Sequence, residues 1–225
     1  MLERLDEGLW VAAMPLSFMG LRLGTRMTVV RLAGGDLWVH SPIAPSPDLR
    51  REVDALGRVG HLVAPNLYHH SFLDSWRAAY PDAMLHGPKA LARKRKDLTL
   101  SASLEDARAA SWAGELAPVH VEGCALDETV FVHRATRTVV SSDLTENFAT
   151  SPHWPTRAYL KVSGTHGKIG WPRPLRVLYR DHAAARRSLD ALFEHDFDRV
   201  VIAHGDVIGQ DGKAAVRQTF EFLRG

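Results

Sequence analysis

A single cysteine, Cys124, stands among 225 residues. It has no partner for an intramolecular disulfide and fits a reducing compartment. A lone cysteine is more often a small buried hydrophobe than a nucleophile, so no catalytic role is expected of it. Long apolar runs are also lacking. None approaches the roughly 20 residues that cross a bilayer. The opening Met1-Leu2-Glu3-Arg4-Leu5-Asp6-Glu7 lacks the basic-then-apolar order of a secretory signal. The expectation is a cytoplasmic protein with no membrane partner. Nor is there an excess of one charge: 28 Lys and Arg face 26 Asp and Glu. That balance excludes a dedicated nucleic-acid binder. What is present, 45% hydrophobic and 24% charged residues, is ordinary for a chain that buries a core. No change of composition and no linker divides it, so residues 1–225 read as one domain.

Strands are expected at Leu9 to Ala13 and Met27 to Leu32, with Gly34-Gly35-Asp36 turning the chain into a strand at Leu37-Trp38-Val39-His40. Ser46-Pro47-Asp48 supplies a capping hydroxyl and a first-turn proline, and Gly57 closes the helix that follows. A strand at His61 to Ala64, a helix at Phe72 to Tyr80, a strand at Ala83 to His86 and a helix opened by Pro88 continue the alternation. The second half repeats the theme. Strands at Leu116 to Val121, Thr129 to His133 and Thr138 to Ser142 precede a helix at Asp181 to Phe193. A strand then ends at His204, and a last helix runs from Gly212 to Leu223. Residues 150–175, rich in Pro, Gly and aromatics, show no period. Two β-rich halves with helices outside are implied.

Three apolar runs end in ligand-type residues: Val63-Ala64-Pro65-Asn66-Leu67-Tyr68-His69-His70-Ser71, Val140-Ser141-Ser142-Asp143, and Arg199-Val200-Val201-Ile202-Ala203-His204-Gly205. Strand ends are where sites form in α/β architectures. Imidazole nitrogen with carboxylate oxygen suits zinc, iron or manganese. His70, Asp143 and His204 would make an open metal site if the fold joins them, which spacing alone does not show.

These strand ends and the order of elements resemble the metallo-β-lactamase fold superfamily, over about Leu9 to His204. The resemblance implies a four-layer αββα sandwich with metal at one edge. Asp143 matches the metal-bridging Asp of that family, and His204-Gly205 its final His-Gly. A divergent branch is implied by Trp38 to Pro42, by Asn66 to His70 and by Ser142-Asp143. Against the family's His-x-His-x-Asp-His, Asn66 and Tyr68 replace both histidines of the first metal site. His70 stands where the motif Asp would be, and Ser71 where its last His would be. The later Pro-Gly-His-type motif is missing, its nearest residues being His120 and Glu122.

The resemblance therefore implies one ion, zinc or else iron or manganese, on His70, Asp143 and His204. His69 is the alternative ligand if the register slips by one. The implied function is a hydrolase whose metal-activated water attacks an ester, thioester, lactone or phosphoester of a small-molecule substrate. Asp143, Asn66 and Tyr68 form its catalytic set, and Asn66, Tyr68 and His69 polarise the substrate oxygen or orient the water. The alternative is a non-enzymatic binding protein that kept the fold and lost the metal. A di-iron oxidoreductase has too few ligands here.

Other residues carry less. His40 would line the pocket or, by the blander reading, bond the turn at Ser41-Pro42. His133 suits a turn. Gly164-Thr165-His166-Gly167-Lys168 lacks the glycine spacing of a phosphate loop and better fits a lid, with Trp154, Tyr159 and Trp171 nearby. Arg93 to Lys96 complements a helix dipole.

Overall fold

The structure, a computed structural model, describes residues 1–223. Its first half contributes β1 (Glu3–Asp6), β2 (Leu9–Met14), β3 (Ser17–Phe18), β4 (Leu21–Arg22), β5 (Thr25–Arg31), β6 (Leu37–His40), α1 (Pro47–Asp54), β7 (Val59–Val63), α2 (Leu73–Ala79), β8 (Met84–Gly87), α3 (Lys89–Lys94) and β9 (Ala102–Ser103). The second half adds β10 (Leu116–His120), β11 (Thr129–His133), β12 (Thr138–Val140), β13 (Glu146–Asn147), α4 (Trp154–Ser163), β14 (Ile169–Gly170), α5 (His182–Phe193), β15 (Arg199–Val201) and α6 (Gly212–Thr219).

Seven strands form one sheet in the order β1-β2-β5-β6-β7-β8-β9, and four form a second in the order β10-β11-β12-β15. The first sheet is antiparallel as far as β6 and parallel from β6 to β9. In the second, β15 joins β12 in parallel. Parallel neighbours need crossovers, and helices supply them.

Alternation along the strands builds the layers. In β6, Leu37 and Val39 face outward with Leu49, Val53, Leu73 and Trp76 of α1 and α2. Trp38 faces inward with Val63, Trp112, Phe131 and Val140. In β11, Val130 and Val132 pack outward on Ala185, Leu189 and Leu192 of α5 and Val216 of α6. The outcome is a four-layer αββα sandwich. Its middle layer is aromatic: Trp38 meets Trp112 and Phe131 edge-on at centroid distances of 5.9 and 4.8 Å.

Several regions differ from the sequence reading. The strands expected to reach Ser142 and His204 end at Val140 and Val201, and the last helix stops at Thr219 rather than Leu223. Residues 154–163, within the stretch without a period, form α4, because Pro155 fits the first helical turn and Gly164 at φ +76° closes the last. The helix opened by Pro88 stops at Lys94, since Arg95 leaves helical geometry. Among the described residues, no helix is long and apolar enough to cross a membrane.

Candidate metal centre

The parallel strands β6, β7, β12 and β15 end at one edge of the sandwich, and the loops leaving the last three bring His69, Asp143 and His204 together. One ligand-type atom from each lies within 4.8 Å of the others. His69 Nε2 is 3.3 Å from Asp143 Oδ2, and His204 Nε2 is 3.3 Å from Asp143 Oδ1. All three side chains are largely buried.

Each group is held from behind. His204 Nδ1 lies 2.7 Å from the Gly24 carbonyl. A carbonyl only accepts, so Nδ1 carries the hydrogen and Nε2 of the neutral ring aims a lone pair at Asp143. His69 Nδ1 pairs with Ser41 Oγ at 2.7 Å. Ser41 sits in the left-handed region at φ +50°, and its amide bonds the Val63 carbonyl at 2.9 Å. Asn66, wholly buried, donates through Nδ2 to Asp143 Oδ2 at 2.7 Å and to Ser142 Oγ at 3.0 Å. Its Oδ1 accepts the amides of Tyr68 and His69 at 2.8 and 2.9 Å, which bends the loop so that His69 faces the cluster. Asn66 therefore orients its neighbours, and its amide is already engaged.

The residues fit a metal ion. With its hydrogen on Nδ1, as the Gly24 carbonyl requires of His204, an Nε2 lone pair facing a carboxylate repels it unless a proton or a cation lies between them. Ligands on a tetrahedral zinc at about 2.0–2.1 Å sit roughly 3.3 Å from one another, which is the nitrogen–oxygen spacing found here. Hydrogen bonds behind the ligands fix the orientation, as in metal sites generally. Burial alone would raise the Asp143 pKa, but His69 and His204 outweigh it and hold the carboxyl well below its usual range. Burial would lower His204, but the hydrogen bond and charge of Asp143 prevail and raise it.

His70 lies apart from this cluster. Its Nδ1 accepts from the Arg95 guanidinium at 3.1 Å, and burial together with Lys94 and Arg95 lowers its pKa. Of the two adjacent histidines, the fold places His69 and not His70 beside Asp143 and His204. Tyr68 is half exposed, with Lys94 Nζ 5.0 Å from its ring centre. His120 is 3.3 Å from Asp127, and His133 bonds Thr136 at 2.8 Å in the expected turn. His40 makes no bond to the Ser41-Pro42 turn. It is wholly buried against Trp38, and neither ring nitrogen has a partner among the described residues. Trp171 is core rather than lid, packed edge-on against Tyr179 at 5.3 Å.

Two acids escaped the sequence reading. Glu128, fully buried before β11, accepts the Ser142 amide at 2.7 Å, the Ser142 hydroxyl at 3.1 Å and the Asp143 amide at 3.1 Å. Burial and the Asp143 charge push it up to about 8 against the pull of these donors. Glu146 is buried within charge range of His204, and burial pushes it up to about 7. An acid in a turn reads as solvated, so only the strand immediately after Glu128 hinted at its burial.

The αββα sandwich with a His-Asp-His cluster at its edge is the metallo-β-lactamase fold. The chain is similar over 100% of its length, and 99% of the other, to a metallo-β-lactamase from Pontibacter korlensis, at 9% identity and a TM-score of 0.64. DIM-1 metallo-β-lactamase aligns at 10% identity and a TM-score of 0.67, covering 100% of this chain and 96% of that one. FIM-1 from Pseudomonas aeruginosa, solved in a mono-zinc form, aligns at 10% identity and 0.66, covering 99% and 95%. Identities this low establish the fold alone. The protein family described as "Domain of unknown function (DUF4336)" matches residues 7–90. No curated protein matches the chain by sequence.

Proposed function

We propose that the chain is a mononuclear metallohydrolase, with one zinc ion (or iron or manganese) held by His69, Asp143 and His204. Its substrate is a small ester, thioester, lactone or phosphoester. The observation that carries this reading is the inward aim of two imidazole nitrogens at one carboxylate, each ring held from behind by a second bond. A divalent cation in such a site acts as a Lewis acid and brings the pKa of water near 7, which supplies the nucleophile.

The chain's own groups do the positioning. Gly24 fixes the His204 tautomer, Ser41 orients His69, and Asn66 and Glu128 hold the Ser142-Asp143 turn so that the carboxylate faces both rings. Three protein ligands leave a position open for substrate or solvent.

Elemental analysis after zinc loading and gel filtration tests the reading. The parent should retain about one ion per chain; His69→Ala and His204→Ala should lose it, and His70→Ala should keep it. A parent that retains none would favour the binding-protein alternative. A His70→Ala variant as poor in metal as His69→Ala would refute the ligand assignment. Hydrolysis of a panel of esters, thioesters, lactones and phosphoesters by the loaded protein, abolished by chelator, tests the reaction.

A further inference from the structure

The charges of this chain are segregated. Residues 8–35 and 147–180 contain nine Lys and Arg (Arg22, Arg26, Arg31, Arg157, Lys161, Lys168, Arg173, Arg176 and Arg180) and no Asp or Glu. Of the 28 basic residues, 19 remain for the rest of the chain, where they face all 26 acids. Among the described residues none of the nine makes a salt bridge, although such pairs are common elsewhere in the molecule.

The two segments adjoin. The Arg22 amide donates to Thr156 Oγ1 at 2.8 Å, which ties the β3–β4 hairpin to α4. The Arg173 guanidinium lies at the C-terminal end of α4, 3.1 Å from where a Gly164 Cβ would stand. Arg26 donates to the Gly205 carbonyl at 2.8 Å and Gly24 holds His204, so the hairpin stands beside the metal centre.

The same segments carry five of the eight large hydrophobic residues that the molecule exposes: Phe18 (53%), Met19 (88%), Trp154 (72%), Val162 (75%) and Val177 (77%). So large a share of the exposed apolar surface is not random scatter. On α4, Thr156, Leu160 and Ser163 are buried, and Trp154, Ala158 and Val162 form an exposed stripe at four-residue spacing, with Lys161 alongside. An amphipathic helix in a globular protein turns its apolar side to the core. Here part of that side faces outward, with Lys161 alongside and Arg173 at the helix end.

We propose that this face docks on an anionic phospholipid membrane. Trp154, Phe18 and Met19 enter the interfacial layer, Val162 flanks them, and Arg22, Lys161 and Arg173 meet lipid phosphates. Apolar residues rimmed by basic ones match an anionic bilayer at both levels of its chemistry, and the acid beside them, Asp206, is engaged by the Ala149 amide at 3.5 Å and offset by Arg26. A soluble polyanion would use the cations and leave Met19 and Val162 without a counterpart. The inference stands independently of the hydrolase reading. If both hold, docking sets the metal centre beside the lipid surface.

Trp154 is its own reporter, because the other five tryptophans are buried. The full chain is mixed with phosphatidylcholine vesicles, with or without phosphatidylglycerol, and followed by tryptophan emission and co-sedimentation. The expected result is a blue shift and pelleting only with the anionic vesicles, both suppressed by molar salt. Trp154→Ala should lose the shift and pellet less. Lys161→Glu should weaken partitioning roughly tenfold, while Arg77→Glu, on the exposed side of α2, should leave it unchanged. The proposal is overturned by failure to partition, or by partitioning that Lys161→Glu and Trp154→Ala leave intact. Equal binding of a single-stranded oligonucleotide that survives Trp154→Ala overturns it too, as does concentration-dependent self-association that Trp154→Ala abolishes.

Discussion

At Gly205 the backbone takes φ +92°, and a Cβ there would stand 2.0 Å from the Asn147 carbonyl oxygen. That carbonyl accepts the Asp206 amide at 2.6 Å, so it has no free direction of retreat. The absence of a side chain at 205 is what lets β13 close on the loop that carries His204. Gly205→Ala therefore combines a strained left-handed φ with an overlap against backbone, and should cost at least about 2 kcal/mol. It should also lower metal retention, since His204 precedes it. A melting temperature and metal content matching the parent would show that the loop simply relaxes. This glycine was visible in the sequence as an abrupt stop after Val200-Val201-Ile202-Ala203, and so was His204. The choice between His69 and His70 was not. Both sit in one irregular loop, and what separates them is a pair of backbone bonds to the Asn66 side chain.

Among the elements, α1 was the most legible, because its start signals are local. Ser46 Oγ accepts the Leu49 amide at 3.1 Å, and Pro47 occupies a position whose missing amide hydrogen costs nothing. Ser46→Ala should cost about 1 kcal/mol in denaturant unfolding without changing metal content, because α1 packs on the outer face of its sheet. A loss of metal in that variant would mean that α1 helps hold the β6–β7 edge. The contrast is α4. Pro155 and Gly164 bracketed it, yet Trp154, Ala158 and Val162 place apolar residues on its exposed side. Periodicity reads helices by assuming that the apolar stripe is the buried one. A helix that breaks this assumption is hidden for the same reason that it is a candidate for contact with another surface.

On the scale of the whole molecule, two β-rich halves with helices outside were legible from the order of elements, and the four-layer αββα arrangement only through the family resemblance. The polarity of the middle layer was not. His40 and His86 read as strand-end residues but lie buried between the sheets, His86 sharing a hydrogen with His61 at 3.0 Å. Burial, with His69 nearby, lowers His40 to about 3, and burial with His61 nearby lowers His86 to about 4. In the unfolded chain both return to 6.5. Above that pH both are neutral in either state, and their contribution to stability is intact. As pH falls from 6.5 toward 4, the unfolded chain takes up protons that the folded one refuses, so stability drops by roughly 1.4 kcal/mol per pH unit for each. Over two units the pair removes roughly 5 kcal/mol, comparable with the whole stability of many domains. Glu128 and Glu146 act in the opposite direction across the same window: raised to about 8 and about 7, they keep protons when folded that the unfolded chain gives up above 4.5, so their share of stability rises as pH falls. Urea unfolding of the metal-free parent and of His86→Leu at several pH values between 6.5 and 4.5, read by tryptophan emission, isolates one histidine's share as the difference between the two slopes. His86→Leu should lose less stability than the parent on acidification, by roughly 1.4 kcal/mol per pH unit, whatever it does to stability at pH 7. Parallel slopes in parent and variant would mean that His86 takes up its proton while the sheets remain packed.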